Sequence, residues 1–234
     1  MNIRDLVLYF ALKYEGDFNR IYDALSNKEK FDGEALCKMK EQLDCQYISI
    51  FDEEYPSGLR KINCPPFVLF YKGNIDLLDE KTLCLITPES NHSTQELLNQ
   101  FVDDMIEDDE FVLVKPHRSS LDDYAVKTIK IMDRGISFYG DVDNINTLVF
   151  SEYPYYVEPP KKYLPFSYRI VSGLADKIVM AQCYDTNEDI MALAYAIEQN
   201  KDVYMIGNEY ELYDILNQQK IKHIENYGEL ESAV

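Results

Sequence analysis

Apolar residues recur at two different periods along this chain, and the change of period divides it. Ile3, Leu6, Val7, Phe10 and Tyr14 fall three and four apart, the spacing of one helix face. Asp17 stands where it can cap a second helix carrying Phe18, Ile21, Tyr22 and Leu25, and Leu36, Met39 and Leu43 mark a third. Residues 1–45 therefore predict a small helical lobe. From Tyr47 onward short apolar runs alternate with amphipathic stretches. "YISIF", "FVLFY", "TLCLI", "FVLVK", "GISFY", "TLVF", "KIVMAQC" and "DVYMIG" read as strands, with helices expected near 93–107, 120–133, 166–175, 187–200 and 209–219. Alternation at this spacing predicts an α/β core over 46–234, a mostly parallel sheet with helices on both faces. Its expected core includes Val68, Phe70, Leu83, Leu85, Val112, Val114, Ile178, Val179 and Val203.

Two connections carry heavy punctuation. In "DEEYPSGLRKINCPPFVLFYKGN", Tyr55-Pro56 forces an extended approach, Leu59 and Ile62 sit three apart, and Pro65-Pro66 blocks any helix from running into the next strand. That reads as a hinge between helical lobe and sheet. "YPYYVEPPKKYLPF", 153–166, reads as a loop laid over the sheet.

Composition narrows the function classes. With 234 residues, 46% hydrophobic and 13% aromatic, the chain is globular and long enough for one sizeable core. Five cysteines at irregular spacing argue against a disulfide framework and for a reducing, cytoplasmic setting. No signal peptide is expected in "MNIRDLVLYFALKYEGDF", where charges break the apolar stripe, and no run reaches the roughly 18 apolar residues of a membrane span. A formal net charge of −19 repels phosphate backbones on average, so any nucleic-acid surface has to be a local exception. His92, His117 and His223 have no partners at metal-ligand spacing, and no G-x-G-x-x-G follows any strand. Neither a metal, a cofactor nor an enzymatic site is expected. Ser93-Thr94-Gln95-Glu96 reads as a capping box, and Ser120-Leu121-Asp122-Asp123 has a similar form.

"YPSGLRKINCPPFVLFYKGN" resembles the Y-P-x-x-L-x-x-I-x-x-P-P-x-x-L-x-x-K-G-N signature of the DprA/Smf family of DNA-processing proteins. "SEYPYYVEPPKKYLPFSYRIVSGLADKIVMAQC", 151–183, is similar to that family's S-E-x-P and F-P-x-R-N-R-I-I-A-G-L segments, and "ALAYAIEQNKDVYMIGN", 192–208, to a later helix and strand. The resemblance covers roughly 46–208 in the same order. It implies an extended Rossmann-like fold that binds single-stranded DNA, forms a homodimer, and hands DNA to a RecA-type recombinase during natural transformation of a competent cell.

The departures fall on the residues expected to touch DNA. Thr87-Pro88-Glu89 replaces the family's Gly-Ser/Thr-Arg, which removes a glycine and reverses a charge. "KPHRSSLD", 115–122, stands for S-G-L-A-x-G-I-D, and "TNEDIMAL", 186–193, lacks the glycine of R-S-G-x-L-I-T-A. Ser167 and Tyr168 occupy the first two places of R-N-R, and Arg169 keeps the third. With only about 26 residues after Asn208, the family's frequent C-terminal winged-helix-like domain is not expected. The nucleic-acid-binding candidates are Arg169, Arg118, Lys115, Lys161, Lys162 and Lys177, which form a patch only if 115–134 and 161–177 converge. Two functions remain open: a single-stranded DNA-binding protein acting with a recombinase, and a scaffold on the same fold that has lost most DNA binding. If Arg169 is structural, it pairs with Glu152 or Asp176.

Overall fold

The computed structural model describes residues 2–86, 92–117, 126–142, 145–160, 166–183, 187–210 and 221–232. Three helices come first: α1 (Ile3–Lys13), α2 (Phe18–Ser26) and α3 (Gly33–Lys40). Each starts on a side chain that accepts a backbone N–H, namely Asn2 from Arg4, Asp17 from Arg20 and Asp32 from Ala35. The cap expected at Asp17 is there.

Among the described residues nine strands follow in one sheet: β1 (Gln46–Ser49), β2 (Val68–Gly73), β3 (Lys81–Ile86), β4 (Phe111–Pro116), β5 (Thr128–Ile131), β6 (Thr147–Ser151), β7 (Lys177–Cys183), β8 (Asp202–Tyr210) and β9 (Ile221–Ile224). Their order is β1-β2-β6-β5-β4-β3-β7-β8-β9. The run from β6 to β9 is parallel throughout, and β1 and β2 extend it antiparallel. Strand order reverses at β3, whose neighbours are β4 and β7, so the sheet is doubly wound and Rossmann-like. Helices α4 (His92–Asp108), α5 (Tyr168–Leu174), α6 (Asn187–Glu198) and α7 (Gly228–Ser232) complete the described α-helices.

Alternation along the strands sends side chains into three apolar clusters. On one face Leu69, Ile129, Phe150, Cys84 and Ile178 pack with Ile170 and Val171 of α5 and Leu193 and Ala196 of α6. The opposite face is shared. Val68, Phe70 and Val149 take α1, α2 and α3, whereas Leu83, Leu113, Val179 and Tyr204 take α4 and α7. All nine residues of the expected core are buried.

Four expectations need correction. Residues 128–131 form β5, not the end of a helix, because Ile129 and Ile131 bury on one face while Lys130 points to the other. The period there is two, and the four-residue run is too short to stand out beside helical spacing. "GISFY" is a 3-10 turn over Ile136–Phe138 whose amides bond the carbonyls of Tyr153 and Tyr155. The punctuated stretch lies between β1 and β2 and is not a hinge to the lobe. Tyr55, Leu59 and Ile62 bury against the α5 face, with the Tyr55 hydroxyl donating to Pro66 O at 2.8 Å. Finally β9, "IKHI", was not expected as a strand. The helix anticipated over 209–219 meets the end of β8 at 209–210, and its remainder lies outside the described residues, as does Ser120–Asp123. The capping box at Ser93 falls where α4 begins, with the side chains of Ser93, Thr94 and Gln95 outside the described set.

Candidate nucleic-acid interface

In a doubly wound sheet, ligands settle outside the carboxyl ends of the strands where the order reverses, because neighbouring connections diverge there and leave a crevice. Here that place is set by the ends of β3 at Ile86 and β7 at Cys183. The residues that follow, 87–91 and 184–186, lie outside the described set. Their sequence, continued to Asp189, offers Glu89, Asp185, Glu188 and Asp189, and no Lys, Arg or Gly.

Arg169 enters the structure as a buried ion, 1% exposed, in the first turn of α5. Its Nη1 donates to Glu152 Oε1 at 3.0 Å and to Phe166 O at 3.1 Å, and its Nη2 to Glu152 Oε2 at 2.6 Å. Nε donates to Cys64 O at 3.0 Å, and the guanidinium lies 3.7 Å from the Phe166 ring centroid. Burial alone would depress its pKa, but the Glu152 carboxylate more than offsets this and the guanidinium is held charged above its ordinary range. Expected to reach a phosphate, Arg169 instead joins α5 to β6 and to the β1–β2 connection. The fork matches a carboxylate in two parallel bonds, and four of the five guanidinium N–H groups are engaged within the protein. Asp176, the other partner considered, takes the Thr82 amide at 2.9 Å.

The other described candidates also face inward. Lys177 is half-buried at the start of β7, donates to Leu230 O at 2.7 Å and lies over the rings of Phe111 and Tyr204. Lys115, in β4, is 1% exposed. By strand alternation both share the α4 face with Leu113 and Val179, whereas α5 and Arg169 lie on the opposite face. The sheet separates them, so the described residues do not bring the anticipated patch together. Arg118, Lys161 and Lys162 lie outside the described residues.

Sequence reasoning did not single out two other groupings near the carboxyl ends of β4, β5 and β6. His117 packs edge-on against Tyr139, with Lys130 5.8 Å from the Tyr139 ring. Exposed Phe138 and Tyr156 meet in a T at 5.2 Å, and Arg134 lies over Phe138 while pairing with Asp133 at 3.0 Å. The only signal in the sequence is the "GISFY" run, whose apolar and aromatic residues read as a strand. Burial pushes the Cys45 and Cys84 thiols up to about 12. Among the described residues no group of three His, Cys, Asp or Glu could hold a metal ion, and no helix is long and apolar enough to cross a membrane.

A doubly wound sheet with an antiparallel extension at β1 and β2 and helices on both faces defines an extended Rossmann-like protein. Known proteins share that architecture over most of the chain. The structure of DNA processing protein A from Streptococcus pneumoniae superposes with a TM-score of 0.70 at 21% identity, over 98% of this chain and 93% of that one. DNA processing protein A from Helicobacter pylori, whose structure describes a single-stranded DNA binding mode, superposes at 0.65 with 18% identity, over 81% and 95%. In sequence, the profile of the family described as DNA recombination-mediator protein A matches residues 46–115. DNA processing protein DprA of Streptococcus pneumoniae is 28% identical over 176 residues, 68% of this chain and 61% of the relative. Its namesake in Bacillus subtilis is 24% identical over 185 residues, 71% and 62%. The chain thus spans about three-fifths of the length of these curated relatives. It resembles the DprA family in sequence, and shares its fold.

Proposed function

We propose that this protein binds single-stranded DNA in the cytoplasm and acts, as a homodimer, with a RecA-type recombinase in natural transformation, as a binding protein and not a catalyst. The observation that carries the reading is the agreement of the whole fold, antiparallel extension included, with DNA processing protein A over 98% of the chain. Its DNA contacts are weaker than the resemblance implies, because Arg169 is consumed by Glu152 and the switch-point sequence is acidic. Those same two observations favour the second reading, a scaffold that keeps the fold and has lost most DNA binding.

A titration of a labelled oligonucleotide, followed by anisotropy at low and at physiological salt, separates the two. Retained function gives saturable binding whose affinity falls with salt along a log–log slope of about 0.7 per phosphate contact. Absence of binding at low salt, where the electrostatic term is strongest, would overturn the DNA reading and leave the scaffold.

A further inference from the structure

Between the α1–α2 turn and the segment after β6 lies a cavity of about 360 Å³, away from the reversal of strand order. That volume suits a small organic ligand or one to two side chains, since such sites run from roughly 300 to 1,000 Å³. Its walls are firmly held. Gly16 adopts a φ of +80°, and a Cβ there would stand 2.2 Å from Glu152 O, so the turn is pressed directly onto the β6 end. Glu152 and Phe166 form part of the wall, and both are held from behind by Arg169.

Rings from Tyr14, Phe18, Tyr153 and Phe166 line the space, and the carboxylates of Glu15, Asp17 and Glu158 stand among its lining. Glu152 is neutralised by Arg169, which leaves Arg20 as the one cationic side chain among the described lining residues. Glu158 has only a distant Arg134 contact at 3.9 Å and is 70% exposed. The rings already hold cations: the Arg20 guanidinium lies 4.5 Å from the Tyr14 centroid and that of Arg169 3.7 Å from Phe166. A ring face with carboxylates beside it attracts a cation twice over, through its quadrupole and through the charges, and repels phosphate.

We propose that this cavity is a binding site for an organic cation on an apolar stem, an amine or guanidinium, supplied either as a free small molecule or as a lysine or arginine side chain of a partner. The apolar stem packs on Val157, Pro159 and Pro160 while the charged head meets the rings and carboxylates.

Calorimetric titration of the full chain with agmatine and spermidine tests the free-cation source, and titration with blocked peptides containing one Lys or one Arg tests the side-chain source. Saturable binding at a single site per chain by either set supports the proposal, and the tighter set identifies the source. The Glu15→Gln/Glu158→Gln double variant, altered only at exposed side chains, weakens binding by about tenfold, consistent with two lost charges near contact distance. Asn19→Trp, which places a bulky ring at the cavity wall, blocks binding, with circular dichroism checking the fold. Asp103→Asn/Asp104→Asn, on α4, leaves binding unchanged. Binding at many sites, weakened equally by both acidic double variants, would show general attraction to a chain of net charge −19 and overturn the proposal. So would the absence of heat with every cation.

Discussion

Arg169 holds a full charge at 1% exposure, so its worth depends on Glu152 staying opposite it. Removing one partner of such a pair leaves an uncompensated buried ion, at a cost of about 3–5 kcal/mol, whereas replacing both by apolar groups of similar size is often neutral. Arg169→Ala and Glu152→Ala should therefore each lower the melting temperature by on the order of 10 °C for a domain of this size. Arg169→Met with Glu152→Leu should recover much of that loss. Equal destabilisation by the double variant would mean that the contacts to the Cys64 and Phe166 carbonyls, and not the ion pair, hold this junction. A single Arg in an otherwise altered motif could be read from sequence as a surviving DNA contact or as a structural ion. Only the distance to Glu152, 17 positions away, decides between them, because either role needs the same residue type.

Among the elements, legibility followed length and repetition. The long helical stripes, and the apolar runs of β3, β4, β7 and β8, announced themselves because each repeats its period several times. β5 and β9 have four residues each, room for barely two alternations, and both were missed or misread. The helical lobe was legible as helices, but its seat was not, since nothing local in Val68, Phe70 or Val149 tells which helices will cover them. One tie across that seat is open to a pH test. Asp44, after α3, accepts from Lys72 of β2 at 2.9 Å and from Ser137 at 2.7 Å. Partial burial raises its pKa, but those two bonds outweigh it and the carboxylate is held below its ordinary range. The folded state then binds fewer protons than the unfolded chain in acid, so the stabilisation is present above the ordinary carboxylate pKa of about 3.9 and is lost as pH falls through the lower folded value. Asp44→Asn should melt below the parent protein at neutral pH, with the gap closing below about pH 4. A gap that persists at low pH would assign the effect to packing.

On the scale of the whole molecule, a net charge of −19 opposes every approach by DNA, and the fold has turned inward the described cations proposed to counter it. Those that remain from the sequence reading are Arg118, Lys161 and Lys162, outside the described residues. If they carry the interface, the combined substitution Arg118→Ala/Lys161→Ala/Lys162→Ala removes three phosphate contacts and flattens the log–log salt slope by about 2, roughly 0.7 for each contact on a single strand. Arg169→Ala should leave that slope unchanged while lowering the melting temperature, because its guanidinium never meets solvent. Glu89→Arg, three positions past the end of β3 in sequence, should strengthen binding, since it reverses a charge in the segment that follows the strand where the order changes. Long-range field and local site respond differently to salt: beyond about 8 Å at physiological ionic strength the field is largely screened, while contact pairs persist. A gain from Glu89→Arg that survives physiological salt would place DNA at the crevice. A gain that appears only in dilute buffer would mean that the substitution merely reduced the net repulsion. Anisotropy with one labelled oligonucleotide, run beside thermal melts of all three variants, distinguishes contact, field and fold in the same samples.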